Sequence, residues 1–365
     1  MREYLAVNVP DYTIELWDIN GQPVADITRL CSNISFSWKL NDAEQINLTL
    51  DLVQFEKLCL KIGSNPRVVL FAGRTEIKIK RNGSYIIAGQ VVKTDFTIGI
   101  DGSKIEISAD GYLNYFLQRF TNLTFTNKDR SQIAWDVING TQSATYGDFG
   151  ITQGTLATTS NSDRTCDYDE IKDVITDYTW QAGGANYDFE FTPSKVFNTY
   201  LRKGSDKPEV RLTYPQNIAD LAVSIDASTV ANRIIGIGSG IGDERIESIK
   251  SHATSQSKYR TREKKALFNS VLVQATLDNN TQGVLDIYNE SLEVPDVTLN
   301  NAVVDLNSLQ TGDTVFVKIE NHSYFTGVEG MYRINQINVS LDDNNAETVK
   351  LKFYNPKDGG ALENA

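Results

Sequence analysis

Few residues in this 365-residue chain have the types and spacing that chemistry requires. The two histidines, His252 and His322, stand seventy positions apart, each in a polar stretch. A zinc site draws several Cys, His or carboxylate ligands together at short spacing, and neither histidine has such a companion. Gly236-Ile237-Gly238-Ser239-Gly240-Ile241-Gly242 invites a phosphate-loop reading. A dinucleotide fingerprint opening at Gly236 needs glycine at position 241, where Ile stands, and an apolar helix after it. Polar residues 243–257 follow instead, so the run reads as a flexible strand end. Gly238-Ser239-Gly240 also lacks the Gly-x-Ser-x-Gly spacing of a nucleophile elbow. Asp167-Tyr168-Asp169-Glu170 precedes helical spacing at Ile171, Val174, Ile175 and Tyr178, where carboxylates favour the positive end of a helix. That structural reading is preferred to catalysis. The basic run at 258–265 adjoins a Ser-rich polar stretch and reads as a solvated loop. A glycosidase-type carboxylate pair leaves no sequence signature and stays open. No catalytic, cofactor-binding or metal-ligating residue is therefore assigned, and neither a cofactor nor enzymatic activity is expected.

Composition narrows the classes further. Hydrophobic content of 40% with 22% charged residues describes a packed globular chain. No apolar run is long enough to span a membrane, and the first twelve residues lack the apolar core of a signal peptide. Cys31, Cys59 and Cys166 are scattered and odd in number, as expected of reduced thiols in a protein made in a cytoplasm. The net charge of −12 argues against wrapping nucleic acid, because phosphate neutralisation needs clustered Lys and Arg.

The positioning elements are strands. Residues 67–111 hold four alternating runs, at 68–71, 76–80, 85–94 and 104–108. Ile77 and Ile79 alternate with Glu76, Lys78 and Lys80; Ile105 and Ile107 alternate with Lys104, Glu106 and Ser108. That period of two is a half-buried antiparallel strand. Ala72-Gly73, Asn82-Gly83 and Asp101-Gly102 supply the turns. The meander is expected to close into a small barrel. The chain then repeats it: residues 312–319 answer 73–80, and residues 348–353 answer 104–108, with Ile105 and Ile107 matching Val349 and Leu351.

Strands at 12–17, 24–27, 34–40 and 46–52 and a short helix at 53–62 complete a first β-barrel domain, 1–111. An α+β domain, 112–208, carries helices near Ile133 and Ile171 and strands at 187–192 and 195–202. Strands at 210–214, 223–225 and 230–235 join the late meander to give a second barrel from 209–238 and 306–365. Residues 239–305 form a second α+β insertion expected to pack with the first, with a strand at 266–275 and a helix at 280–291. The fold class is thus mainly β, two similar small antiparallel barrels plus inserted α+β material.

The order of parts carries a resemblance. Ile34-Ser35-Phe36-Ser37-Trp38 precedes the 73–80 strand, Gly89-Gln90-Val91-Val92 runs to Ala109-Asp110-Gly111-Tyr112-Leu113, and an insertion follows. Then come residues 228–238 and Gly312-Asp313-Thr314-Val315. This layout resembles the tail hub, or baseplate hub, proteins of long-tailed bacteriophages and their contractile relatives, including the N-terminal hub part of tail-associated lysins. The resemblance implies a homotrimeric ring closing the distal end of the tail tube, three chains presenting six barrels to a hexameric tube. It implies as partners a distal tail protein ring, tail tip or fibre proteins and the tape measure protein, with DNA passing through the lumen unbound. It implies a virion component assembled in the bacterial host cytoplasm. The chain departs from lysin-bearing members in ending soon after the second barrel. The alternatives are a carbohydrate-binding adhesion module, which needs an exposed aromatic platform, and a cell-wall hydrolase, which needs a deep acidic cleft.

Overall fold

The structure, a computed structural model, describes residues 10–100, 102–179, 186–240, 242, 245–269, 271–300, 305–322, 328–342 and 344–354. Asp101 of the expected Asp101-Gly102 turn, and the chain ends, lie outside the described residues.

The first part of the chain is β1 (Tyr12–Trp17), β2 (Pro23–Asp26), β3 (Cys31–Lys39), β4 (Gln45–Asp51), helices α1 (Leu52–Lys61) and α2 (Pro66–Val69), then β5 (Glu76–Arg81), β6 (Ser84–Gly99) and β7 (Gly102–Asp110). Asn82 and Gly83 both have positive φ, so Arg81 faces Ser84 across a two-residue turn. Helix α1 starts where the Asp51 carboxylate accepts the Gln54 N–H, and it buries Phe55 and Cys59 against β4 and β7. The strand expected at 68–71 is a correction: Asn65 caps and Pro66 begins the helix α2 there.

The middle holds β8 (Phe120–Thr121), β9 (Thr124–Asp129), α3 (Arg130–Gln142), β10 (Thr152–Gln153), β11 (Asn161–Thr165), β12 (Asp169–Glu170), α4 (Ile171–Asp177), β13 (Asp188–Phe191) and β14 (Val196–Tyr200). Its aromatic core includes Tyr112, Phe116, Tyr187, Phe189 and Phe197. The last part is β15 (Asp206–Tyr214), β16 (Ile218–Asp226), β17 (Arg233–Ile237), β18 (Glu247–Ser251), α5 (Ala253–Tyr259), β19 (Glu263–Leu267), α6 (Gln274–Tyr288), β20 (Leu292–Leu299), β21 (Thr314–Ile319), β22 (Glu329–Leu341) and β23 (Glu347–Phe353).

The two meanders repeat strand for strand. The first half runs β1-β5-β6-β7-β4-β3 and the second β15-β21-β22-β23-β20-β16, the same order by position in the chain. One strand departs: β1 is antiparallel to β5, whereas β15 is parallel to β21. The match reaches single hydrogen bonds. Gly73 N–H donates to Val91 O and Val91 N–H to Thr75 O; Gly312 N–H donates to Ile334 O and Ile334 N–H to Asp313 O. Val91 and Ile334 are therefore equivalent. Three residues beyond each, Thr94 faces Ile107 and Ile337 faces Leu351, so Ile105 and Ile107 do match Val349 and Leu351.

Two expectations are corrected. Among the described residues neither half closes into a separate barrel: β22 pairs with β3, fusing both into one 13-stranded sheet over one shared apolar core. Nor does the strand expected at 230–235 complete the second half. As β17 it lies between β18 and β19 under α6, with its own core of Ile234, Phe268, Leu277, Val284 and Leu285. That core is separate from the aromatic one of the first insertion.

Candidate functional site

The chemistry-bearing residues are each absorbed by local structure. His252 Nδ1 accepts the Ser255 N–H at the start of α5, and the His322 ring lies tilted against Tyr214, centroids 5.6 Å apart. Asp169 forms an ion pair with Arg164 at 3.2 Å, and Glu170 accepts the Gln118 N–H. The stretch expected to be a solvated loop is ordered instead as β18, α5 and β19. There Lys258 pairs with Glu290 at 2.7 Å and Arg233 with Glu263. The glycine run serves packing. A Cβ on Gly236 would strike the Thr281 side chain of α6, and one on Gly238 the Ile246 side chain, so small residues let helix and strand approach. Ile241 lies outside the described residues. Among those residues no group of three metal-ligating side chains occurs, and all three cysteines are free thiols.

Buried charges instead tie the parts together. Arg81 of the first half grips Glu347 of the second, Nε–Oε1 2.5 Å and Nη2–Oε2 3.2 Å, while Tyr12 OH donates to the same Oε1. Burial first, then the Glu347 contact, raises the Tyr12 phenol above its ordinary range. Asp188 of the first insertion accepts from Asn41 Nδ2 at 2.8 Å, Lys203 N–H at 2.7 Å and Arg333 Nη2 at 2.5 Å. Fully buried Glu76 accepts the hydroxyls of Tyr112 and Tyr115 and pairs with Lys195 at 2.6 Å. Such pairs fix one arrangement of parts, since leaving either partner alone is costly.

The shared sheet has two unlike faces. One carries the apolar core; the other presents small polar groups, including Ser35 and Ser37 on β3, Asn47 on β4, and Asn338 and Ser340 on β22, around a shallow groove. Ser108 donates to Asn47 Oδ1 at 2.9 Å along this face.

Solved structures share this architecture from end to end. A tail protein from Neisseria meningitidis MC58 superposes with a TM-score of 0.65 over 94% of this chain and 96% of that one, at 10% identity. The 43 kDa tail protein of prophage MuSo2 from Shewanella oneidensis gives 0.64 over 96% and 99%, at 13% identity. Prophage tail protein gp18 from Listeria monocytogenes EGD-e gives 0.57 over 94% and 95%, at 11% identity. This chain has the fold of phage tail proteins. No protein-family model and no curated protein matches it in sequence.

In this tail-protein fold two bare edges stand out among the described residues, besides the outer edges of β2 and β15. Beyond Gln90, β6 has β7 on one side, and no described strand takes over where β5 stops. Strand β16 ends the ladder, with β20 on one side and no described strand on the other. Along the bare part of β6, Phe96 is 58% and Ile98 79% exposed. The sequence reading stopped this strand at Thr94. The signal was present, because the apolar alternation continues through Phe96, Ile98 and Ile100.

One titratable group marks the seam between the first half and its insertion. Burial of the Glu44 carboxyl, with smaller contributions from Glu190 and Asp42, pushes it up to about 7, against Lys203 and a backbone hydrogen bond that lower it. The residue as a whole keeps partial exposure, so it is the enclosed carboxyl that matters. Between the ordinary 4.5 and about 7 the native state holds a proton that the unfolded chain has released. Stability from this group must then fall as pH rises through that window. Glu44→Gln is expected to gain on the parent at pH 8 and not at pH 4.5, as read by urea unfolding at both. An unchanged difference across the window refutes this.

Proposed function

We propose that the chain is a structural tail hub without enzymatic activity. It forms a homotrimeric ring at the distal end of the tail tube and connects it to the tail tip or baseplate. The observation that carries this reading is the repeat. Two halves of identical strand order within one sheet give each chain two near-equivalent surfaces. Three such chains match the sixfold tube that the hub resemblance implies. The neighbouring folds support it, among them a type VI secretion component from E. coli described as similar to the T4 tail proteins gp27 and gp5, at a TM-score of 0.51 and 9% identity. The partners of such a hub are the tube or distal tail ring, tip or fibre proteins and the tape measure protein, in a virion assembled in the host cytoplasm. The groove on the polar face of the sheet, lined mostly by Ser, Thr, Asn and Gln with Lys350 as its one cation, suits a lumen wall, since it neutralises few phosphates of passing DNA.

Light scattering over a concentration series is the test. The expected mass at high concentration is three times that of the 40.7 kDa chain. A dimer or monomer at every concentration sinks the ring.

A further inference from the structure

The two bare edges are related by the repeat. In the second half, β21 leaves the edge of β22 after Thr314 faces Arg333, and β3 takes the same edge from Gln336 to Ser340. In the first half, β5 leaves the edge of β6 where Glu76 faces Gln90, and no described strand follows. The strand equivalent to β3 is β16, the second strand of the second half, and its outer edge is the other bare one.

We propose that the bare edge of β6 in one copy pairs antiparallel with the bare edge of β16 in the next, repeating between chains the β22–β3 contact made within one. This deepens the ring reading above and rests on it for the presence of further copies. It specifies which strands join them.

The register follows from residues already matched. Val91 corresponds to Ile334, so Lys93, Thr94 and Phe96 correspond to Gln336, Ile337 and Val339. Leu48 and Val297 correspond because they face Ile107 and Leu351. Two residues earlier, Ile46 faces Phe36 and Pro295 faces Val223, so Val223 corresponds to Phe36, Ile225 to Trp38 and Asp226 to Lys39. Within the chain Val339 faces Phe36, Ile337 faces Trp38 and Gln336 faces Lys39. Between chains Phe96 would therefore face Val223, Thr94 would face Ile225, and Lys93 would face Asp226.

That register is chemically consistent. It sets an apolar residue against an apolar one and a cation against a carboxylate. It also accounts for a difference between equivalent positions. Val339 is buried where β3 covers it, whereas its equivalent Phe96 stands 58% exposed; Phe36 is buried, whereas its equivalent Val223 is only partly buried. The contact is head-to-tail, so it closes into a ring when the rotation per copy is right. The ladder from β16 through β20, β23, β22, β3, β4 and β7 to β6 would then run unbroken from chain to chain, leaving neither of these two edges bare.

Cysteine pairing tests this directly. Directly opposed residues on neighbouring antiparallel strands have Cα atoms about 4.5–5.5 Å apart, within disulfide range. Phe96→Cys and Val223→Cys, each alone under oxidation, should form no covalent species. Mixed, they should yield a dimer containing one of each, and the double variant should yield a covalent trimer on a non-reducing gel. Independently, Lys93→Glu should raise the midpoint concentration of assembly up to about fivefold, the upper range of one cross-strand charge pair, and adding Asp226→Lys should restore it. A trimer by light scattering in which neither mixing nor the double variant links chains overturns the edge pairing and leaves the ring standing. Absence of any trimer overturns both.

Discussion

Glu76→Ala is expected to destabilise the protein by about 3–5 kcal/mol, the range for removing one partner of a buried ion pair. The carboxylate is fully buried and accepts Tyr115 OH at 2.7 Å and Tyr112 OH at 3.1 Å. It pairs with Lys195 at 2.6 Å and lies 4.0 Å from Lys78. Burial lowers the Lys78 ammonium, Glu76 counters that, and Lys195 adds to the lowering. Removing Glu76 therefore leaves two cations facing each other and two phenols without their acceptor. Lys195 keeps the Phe149 carbonyl at 3.0 Å, which offsets part of the loss. Glu76→Gln keeps the shape and one acceptor oxygen but not the charge, so it should fall between parent and alanine. Urea unfolding of the three proteins checks the order. A loss below about 1 kcal/mol for alanine, typical of an exposed pair, would show that the site admits water.

This same residue shows how far the sequence can be read. The alternation of Ile77 and Ile79 with Glu76, Lys78 and Lys80 located β5 and its apolar face correctly, and Asn82-Gly83 located its turn. Alternation also implied that Glu76 and Lys78 face solvent. They do not, because Tyr112, Tyr115 and Lys195 of the following insertion cover that face. Covering by a distant segment leaves no local periodicity to detect. The repeat was legible as residues 73–80 against 312–319, one residue off the register of the structure, which sets Glu76 level with Thr314. The joining of its halves through β22 and β3 was not, since a strand edge bears no mark of its partner. Val230 to Ile235 read as one more strand, and a strand it is. Its partners β18 and β19 sat in a stretch whose Ser and Lys content suggested a solvated loop; Ile249 was too isolated to signal β18, and the strand expected at 266–275 is instead β19 ending at Leu267, with α6 starting at Gln274. The bare edges were half legible: apolar residues continued past Thr94 without a reason inside the chain.

Gly312→Ala and Gly73→Ala occupy equivalent places in the two halves and are expected to differ sharply. Both glycines have positive φ, +93° and +83°, and both donate to the strand that follows, at Ile334 O and Val91 O. A left-handed conformation costs an alanine about 1–2 kcal/mol. At Gly73 that is all, because an added Cβ meets nothing within 4 Å. At Gly312 the Cβ would overlap the carbonyl of Lys203, and one on Gly204 would overlap the Gly312 carbonyl carbon and Asp313 N. The two backbone segments cross in contact there. Neither can rotate away, because buried Asp313 accepts the Ser205 and Gln310 N–H groups, both at 2.9 Å, and pairs with Lys207 at 2.7 Å. Arg333 adds bonds to Gly312 O at 3.2 Å and Lys203 O at 3.1 Å. Forcing a methyl into such packing costs a further ~1–3 kcal/mol. Gly312→Ala should therefore lose about 2–5 kcal/mol and Gly73→Ala about 1–2, as read by urea unfolding. The excess measures how tightly the end of the first insertion is locked onto the second half. Equal losses would mean that the crossing yields, and that the insertion is held by its buried charges, Asp188 with Arg333 above all, rather than by backbone contact.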